Sequence, residues 1–192
     1  MRFEVVDRQH PKRSQVEASI RGVYEKTFGA QLTQLPARLV ALFDKSDQPL
    51  VAAGIRCIED GFFSENYTSE PLQDSLSQIW KRPVARQQIA EITNLAGCQS
   101  GVAMILVQHI VRLLQGQGVC WAVFTATDRL RAMLRRTGVP ALDVCAAEAS
   151  RVANPEVWGS YYHSAPRVVA IHEDMVQLRC SPNSGSVSRA SA

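Results

Sequence analysis

The amino-acid sequence predicts a three-layer α/β/α fold of the α+β class, with a mixed sheet in the central layer. Three observations support this prediction. Apolar patterns typical of strands and of helices follow one another along the chain. Residues 119–125 form an apolar run of the kind found inside a sheet. Residues 87–95 are predicted to form a strand, and a glycine-containing break separates them from an apolar helix over residues 102–114.

The length and composition indicate a single domain. The chain has 192 residues, of which 46% are hydrophobic, and this is enough to bury one sizeable core. We expect that domain to span residues 1–178. From Arg179 onward the chain is rich in serine and poor in apolar residues, so residues 179–192 are predicted to form a disordered tail.

The charge balance and the apolar runs argue against several classes of partner. The 21 basic and 18 acidic residues leave a net charge of +3, which is too small to indicate nucleic-acid binding. No apolar run approaches the length of a membrane span, so we expect no stable membrane insertion. Residues 1–7 alternate like a strand and lack the hydrophobic region of a signal peptide, which predicts a cytoplasmic protein.

The five cysteines indicate neither a metal site nor a disulfide framework. They are odd in number and widely spaced, and they form no Cys-x-x-Cys pair and no Cys/His metal spacing. We interpret them as small buried thiols of a reducing compartment, and we expect no metal.

The first third of the chain begins with a strand over residues 2–6. Pro11 stands where a helix accepts proline, and apolar residues then recur at helical spacing until Gly29 closes the helix. Residues 38–43 and 49–58 are apolar strands, and the short polar turn between them predicts a hairpin.

Residues 61–69 are too aromatic for a solvated loop. They include Phe62, Phe63 and Tyr67, so we expect this segment to cover another part of the fold. Pro71 then begins a short helix that precedes the strand over residues 87–95.

The last third of the chain continues the alternation of strands and helices. Thr127 is predicted to cap a helix that runs to Gly138, with the acidic Asp128 in its first turn. The remaining strands are predicted over residues 119–125, 139–145 and 167–171. An irregular connection precedes the last of them.

The break after Leu95 is a candidate anion site. The first turn of a helix offers unpaired backbone N–H groups and the positive end of its dipole, which suit a phosphate. A carrier such as coenzyme A or phosphopantetheine would bind there. The residues predicted to hold it are Leu95, Ala96, Gln99, Ser100, Gly101, Val102 and Ala103. The alternative is an ordinary strand-to-helix turn that binds nothing.

The order of elements, the early hairpin and the anion loop together resemble the GNAT acyltransferase fold. Gly54-Ile-Arg56, Glu91-Ile-Thr-Asn-Leu95 and residues 130–140 look like segments of acyl-homoserine-lactone synthases, which make autoinducers. A closer resemblance, over about residues 30–170, is to the thermostable hemolysin family. The segments that carry it are residues 62–72, 91–96, 124–127, 134–138 and 158–162.

Two residues depart from the patterns of these families. Asn94 stands where the lactone synthases carry an arginine, and Cys98 takes the first position of the loop, where a basic residue or glutamine is usual. The missing cation weakens the case for tight binding of coenzyme A. The backbone donors of the loop remain.

The resemblance implies transfer of an acyl group from acyl-CoA, or from the phosphopantetheine of an acyl-carrier protein, to a small amine or amino-acid-like acceptor. This reaction needs a base for the amine, a donor for the oxyanion and an acid for the thiolate. Glu91 is the predicted base, directly or through a water, because its apolar strand would desolvate it. The alternative is that Glu91 pairs with Arg56, a pair that would itself be able to position a substrate cation.

The remaining site residues follow from the same resemblance. Tyr161 or Tyr162 is the predicted general acid, while the other packs with Trp158. Thr93 and Asn94 are predicted to line the acyl channel, or alternatively to cap a turn. Phe62 and Tyr67 belong to a segment that would form the wall of an acyl pocket, or would cover the sheet as ordinary core.

Two other functions stay open at this point. The family name suggests a membrane-active toxin, but the sequence lacks an amphipathic basic surface helix and barrel-forming alternation. A non-catalytic binder of acyl groups or coenzyme A is consistent with Asn94 and Cys98.

Overall fold

The computed structural model describes residues 1–97 and 100–177, which form one seven-stranded sheet flanked by helices. The strands are β1 (Arg2–Val6), β2 (Arg38–Phe43), β3 (Pro49–Arg56), β4 (Ile89–Gly97), β5 (Trp121–Ala126), β6 (Leu142–Ala146) and β7 (Arg167–His172). The helices are α1 (Arg13–Phe28), α2 (Leu72–Trp80), α3 (Ser100–Gln115), α4 (Asp128–Arg136) and α5 (Glu173–Gln177).

The sheet consists of two antiparallel parts joined by one parallel pair. Its strand order is β1-β2-β3-β4-β5-β7-β6, and only β4 and β5 run parallel. The β4–β5 register starts at Ile89 opposite Trp121 and ends at Ile92 opposite Phe124. On its other edge β5 stays paired with β7 as far as Ala126. Within residues 1–97 and 100–177, the sheet therefore opens between β4 and β5.

A β-bulge in β4 accompanies this opening. Gly54 lies opposite Thr93 and Ala52 lies opposite Ala96, so two residues of β4 face Ala53 of β3. One of the two is Asn94, whose φ of +52° is in the left-handed region that asparagine tolerates better than most residues. A bulge bends its strand and increases the local twist, which accounts for the divergence of β4 from β5.

Helices cover both faces of the sheet. On one face α3 packs Leu106, Ile110 and Leu114 against the sheet, and Leu134 of α4 joins the same cluster. On the other face α1 packs with Val16 and Ile20, and α2 packs with Leu72 and Leu76. The predicted three-layer architecture of the α+β class is confirmed.

The predicted order of strands and helices matches the structure, with small differences at the ends. β3 stops at Arg56 because the backbone turns at Cys57, whose N–H donates a hydrogen bond to the Asp60 carboxylate of the following loop. β6 begins only after Pro140, which cannot donate to a strand ladder. Helix α5 was not predicted. The predicted tail over residues 179–192 lies outside the described residues, and the single-domain boundary at residue 178 stays a prediction.

No helix within the described residues is both long and apolar enough to cross a membrane.

Candidate active site

A cavity of about 420 Å³ lies where β4 and β5 separate. The strand residues that line it are Ile92, Thr93, Asn94, Leu95 and Gly97 of β4 and Phe124 and Thr125 of β5. Side chains from α1 line it on one face of the sheet, and side chains from α3 and α4 line it on the other. The cavity is therefore a cleft through the sheet, referred to below as the β4–β5 cleft.

The α1 side of the β4–β5 cleft has an aromatic wall. Its members are Tyr24, Phe28, Phe63, Tyr67, Trp158 and Tyr161. Their rings contact one another, with centroids 5.2 Å apart for Phe28 and Tyr161 and 5.5 Å apart for Phe63 and Trp158. Such rings offer a large apolar surface with a hydroxyl group at a few points.

Tyr161 lies in this wall with its hydroxyl group already engaged. The side chain is 6% exposed, and its phenol donates a 2.9 Å hydrogen bond to the carbonyl oxygen of Thr125. Burial raises the pKa of Tyr161 well above its ordinary value, so the phenol stays protonated at neutral pH. The hydrogen bond that this proton makes fixes the backbone of Thr125 near the end of β5.

Tyr162 does not line the cleft. Its hydroxyl oxygen lies 2.8 Å from that of Tyr67, which does line it. Burial raises the pKa of both phenols. Of the two predicted acids, the structure thus brings Tyr161 to the cleft and connects Tyr162 to it only through Tyr67.

Glu91 is buried beneath the aromatic segment and does not line the cleft. The side chain is 1% exposed. One carboxylate oxygen accepts the N–H of Phe63 at 2.6 Å, and the other accepts the N–H of Ser64 at 3.0 Å together with the Ser64 hydroxyl. Burial raises the pKa of Glu91, and the bonds from Ser64 and Phe63 oppose that rise.

Glu91 and Arg56 make no direct polar side-chain contact among the described residues, although the Arg56 charge opposes the rise in the pKa of Glu91. The two residues lie opposite each other in the β3–β4 register, but no hydrogen bond or ion pair joins them there. The Arg56 guanidinium instead donates to the carbonyl oxygen of Asp60 at 3.3 Å, and its buried Nε has no partner. The aromatic segment supplies the donors that Glu91 uses instead.

Thr93 and Asn94 do line the cleft, as do Phe63 and Tyr67. The Thr93 hydroxyl donates to the Asn94 side-chain oxygen at 3.1 Å. Phe62 does not line the cleft, because its side chain packs into the core beside α2 and under the Arg86 guanidinium. Of the predicted aromatic wall, Phe62 is thus core and Tyr67 faces the cavity.

The predicted carrier loop lies at one end of the cleft. Leu95 and Ala103 line the cavity, whereas Ala96 is buried on the α1 side and Val102 packs against the core on the α3 side. A Cβ built on Gly101 would meet no heavy atom within 4 Å. Gln99 lies outside the described residues, and Ser100 begins α3.

A family model described as thermostable hemolysin matches residues 6–176. The chain belongs to the thermostable hemolysin family. No curated protein matches it.

Solved structures with this fold include several acyl-group enzymes. The AHL synthase LasI is 11% identical with a TM-score of 0.63, covering 90% of this chain and 89% of its own. FeeM, an N-acyl amino acid synthase from uncultured soil microbes, is 11% identical with a TM-score of 0.58, covering 90% and 93%. A GNAT-family acetyltransferase from Staphylococcus aureus MU50 is 5% identical with a TM-score of 0.51, covering 90% and 99%. At these identities the likeness shows the fold alone, and the predicted GNAT-like fold is confirmed.

This member of the thermostable hemolysin family carries two features at the cleft in addition to the predicted site residues. Arg129 and Arg136 of α4 line the cleft, and the lining taken from residues 1–97 and 100–177 includes no acidic side chain. Their spacing of seven residues places them on one helix face, which is the signal that the sequence held. Ser64 and Thr125 were not predicted as site residues, and they connect Glu91 to the cleft as described below.

Residues 1–97 and 100–177 contain no group of three or more His, Cys, Asp or Glu side chains that could hold a metal ion.

Proposed function

We propose that this chain is an acyltransferase. It moves an acyl group from a thioester, on coenzyme A or on the phosphopantetheine of an acyl-carrier protein, to a small amine or amino-acid-like acceptor. The observation that carries this proposal is the β4–β5 cleft, which passes through the sheet and ends beside the first turn of α3. The AHL synthase and the N-acyl amino acid synthase that share the fold support the choice of reaction.

The thioester arm would enter from the α3 and α4 side. Beyond Ile92 the edge of β4 that faces β5 has no strand partner in the described structure, so its backbone groups are available to the amides of a pantetheine arm. The first turn of α3 suits the diphosphate, and Arg129 and Arg136 add positive charge at the same side of the cleft.

The acyl chain and the acceptor would meet at the α1 side. The aromatic wall there suits an apolar chain, because each methylene group buried contributes about 0.8 kcal/mol. The faces of the same rings attract an ammonium group. Small acceptors with an apolar part and a primary amine fit this surface.

The reaction needs no covalent intermediate with the protein, because a thioester is already activated. The amine nitrogen attacks the thioester carbonyl carbon, the C–S bond breaks, and the departing thiolate takes a proton from the nitrogen. Backbone N–H groups of β4 past the bulge are donors for the oxyanion. We assign Tyr161 a positioning role, since its proton is bonded to the Thr125 carbonyl.

The test combines binding and turnover. Isothermal titration with acetyl-, octanoyl- and palmitoyl-CoA measures binding, and the release of free thiol in the presence of a panel of amines measures transfer. The proposal predicts both. Binding without thiol release would contradict it in favour of a non-catalytic binder. Leakage of liposomes with neither binding nor thiol release would contradict it in favour of a membrane-active protein.

A matched pair of glycine variants localises the carrier site. Gly101 and Gly22 both lie in helices, and a Cβ at either position meets no heavy atom within 4 Å. Gly101→Val is expected to weaken acyl-CoA binding at least tenfold, because the phosphates must approach the first turn of α3 closely. Gly22→Val carries the same change on α1 and is expected to bind like the wild type. Equal binding by both variants would contradict the assignment of the loop.

A further inference from the structure

Two side chains, those of Thr125 and Ser64, connect the β4–β5 cleft to the buried carboxylate of Glu91. Thr125 lines the cleft, and its hydroxyl oxygen lies 3.3 Å from that of Ser64. The Ser64 hydroxyl in turn donates to Oε1 of Glu91. Ser64 is fully buried and Glu91 is 1% exposed, so this chain of hydroxyl groups is the route from the carboxylate to the cavity among the described residues.

The direction of each hydrogen bond in this chain follows from the carboxylate. An ionised carboxylate only accepts, so the single proton of the Ser64 hydroxyl is used in the bond to Glu91. The Ser64 oxygen is then an acceptor toward Thr125, and the Thr125 hydroxyl must be the donor. The Thr125 oxygen can therefore accept a hydrogen bond from a donor in the cleft. An ammonium group, which only donates, requires such an acceptor.

The surroundings hold this arrangement in place. The backbone N–H groups of Phe63 and Ser64 both donate to Glu91, which fixes the carboxylate under the segment that carries Ser64. Tyr161 donates to the backbone carbonyl of Thr125, which fixes the residue at the cleft end of the chain. Both ends of this chain of hydroxyl groups are therefore fixed by hydrogen bonds that do not belong to the chain itself.

We propose that Glu91 acts as the base through Ser64 and Thr125, a proposal that rests on the proposed function. The acceptor ammonium gives a proton to the Thr125 oxygen while the Thr125 proton moves to Ser64 and the Ser64 proton moves to Glu91. One N–H bond breaks, and Glu91 becomes a neutral acid. The freed electron pair on nitrogen attacks the thioester carbon. After the thiol and the amide leave, the proton on Glu91 returns to water by the reverse transfers.

Thr125 is the catalytic residue of this relay, and Ser64 is a positioning residue that acts through it. The titratable and charged groups that face Glu91 are Arg56 from β3, Tyr67 from the aromatic segment and Tyr161 from the connection before β7. Burial raises the pKa values of the two phenols, which therefore stay neutral, and burial raises the pKa of Glu91 as well.

The test uses the full chain and its thiol-release activity as a function of pH. Thr125→Val keeps the shape and removes the hydroxyl, and it is expected to lower kcat about 100-fold while the KM for acyl-CoA stays within about threefold. Thr125→Ser keeps the hydroxyl and is expected to retain most of the turnover. Thr33→Val, at an exposed position outside the cleft, controls for the substitution itself and is expected to match the wild type.

A second measurement needs no variant. For the wild type, the rate is measured in mixtures of H₂O and D₂O. A plot of the rate against the fraction of D₂O should be curved and not linear, because several protons move together in the relay. A Thr125→Val enzyme as fast as the wild type, or a wild-type rate that is independent of deuterium in a chemistry-limited assay, would overturn the relay while acyl transfer itself stood. A wild type without thiol release would overturn the proposed function and the relay together.

Discussion

The phenol of Tyr161 donates a 2.9 Å hydrogen bond to the carbonyl oxygen of Thr125, at the point where β5 has lost β4 as its neighbour. The bond places an aromatic side chain from the connection before β7 at the cleft. It also fixes Thr125, whose side chain faces both the cavity and Ser64. This contact thus fixes the residue from which the Ser64 hydroxyl continues to the buried carboxylate of Glu91.

Loss of this contact should destabilise the fold. Tyr161→Phe is expected to lower the free energy of unfolding by about 1–3 kcal/mol, because it leaves the Thr125 carbonyl without its donor in a buried site. Urea denaturation measures the change. Tyr24→Phe is the matched control, since that neighbouring phenol is also buried and has no hydrogen-bond partner in the described residues, and it should change stability by less than about 0.5 kcal/mol.

Glu91→Gln should reduce acyl transfer at least tenfold, as expected for loss of a general base. It should also weaken the fold, because the glutamine Nε2 would face the N–H of either Phe63 or Ser64, two donors that the carboxylate now accepts. Measurement of kcat and of urea stability separates the two effects. Full turnover in this variant would remove Glu91 from the mechanism.

The pH dependence of stability provides a signed test of burial. The pKa of Glu91 is raised in the folded state. Its stabilising contribution to the free energy of unfolding is therefore complete below the ordinary glutamate pKa, and it is lost as pH rises through the raised value. The wild type should therefore lose stability relative to Glu91→Gln as pH increases above the ordinary glutamate pKa of about 4.

Glu65 offers the control of opposite sign. The hydrogen bond from Arg86 lowers the pKa of Glu65, so its contribution is present above the ordinary pKa and is lost as pH falls through the lowered value. The wild type should thus gain stability relative to Glu65→Gln as pH rises from about 2 to 5. If both differences moved in the same direction, the burial argument for Glu91 would be contradicted.

The bulge region should be sensitive to a single methyl group. A Cβ on Gly97 would lie 2.8 Å from Cγ2 of Val51, so Gly97→Ala forces β3 and β4 apart and is expected to cost about 1–3 kcal/mol. Gly101→Ala adds the same methyl group to an open helical position and should be neutral or stabilising by up to about 1 kcal/mol. Thermal denaturation of the two variants gives the comparison.

The affinity for acyl-CoA should increase with chain length until the aromatic wall is filled. Each methylene group contributes about 0.8 kcal/mol, or about a fourfold change in Kd. Phe63→Leu is expected to reduce this dependence because Phe63 belongs to the wall. Phe3→Leu, on β1 at the edge of the sheet, should leave it unchanged. A Kd that is independent of chain length would show that the acyl group lies elsewhere.

The fold was largely predictable because its elements have local signals. The apolar spacing in α1 and the closing Gly29, whose φ is +67°, define that helix from its own residues. The Thr127 hydroxyl caps α4 by accepting the N–H of Leu130, as its type and position indicate. Each of these signals lies within a few residues of the feature that it predicts.

The site was predictable only in part, because its decisive contacts join distant segments. Glu91 was correctly placed on a strand, but its donors come from Phe63 and Ser64, 28 and 27 residues earlier in the chain. The sequence around Arg56 does not indicate that Glu91 would be paired with backbone donors of the aromatic segment instead of with Arg56. The left-handed backbone of Asn94 depends on the register between β3 and β4, which no local pattern specifies.

The most direct test of the central claim is a crystal structure with a bound, non-reactive thioether analogue of acyl-CoA. We expect density for the pantetheine arm between β4 and β5, with the diphosphate at the first turn of α3 and the acyl carbonyl within reach of Thr125. An analogue bound elsewhere on the surface, with the β4–β5 cleft left empty, would contradict it.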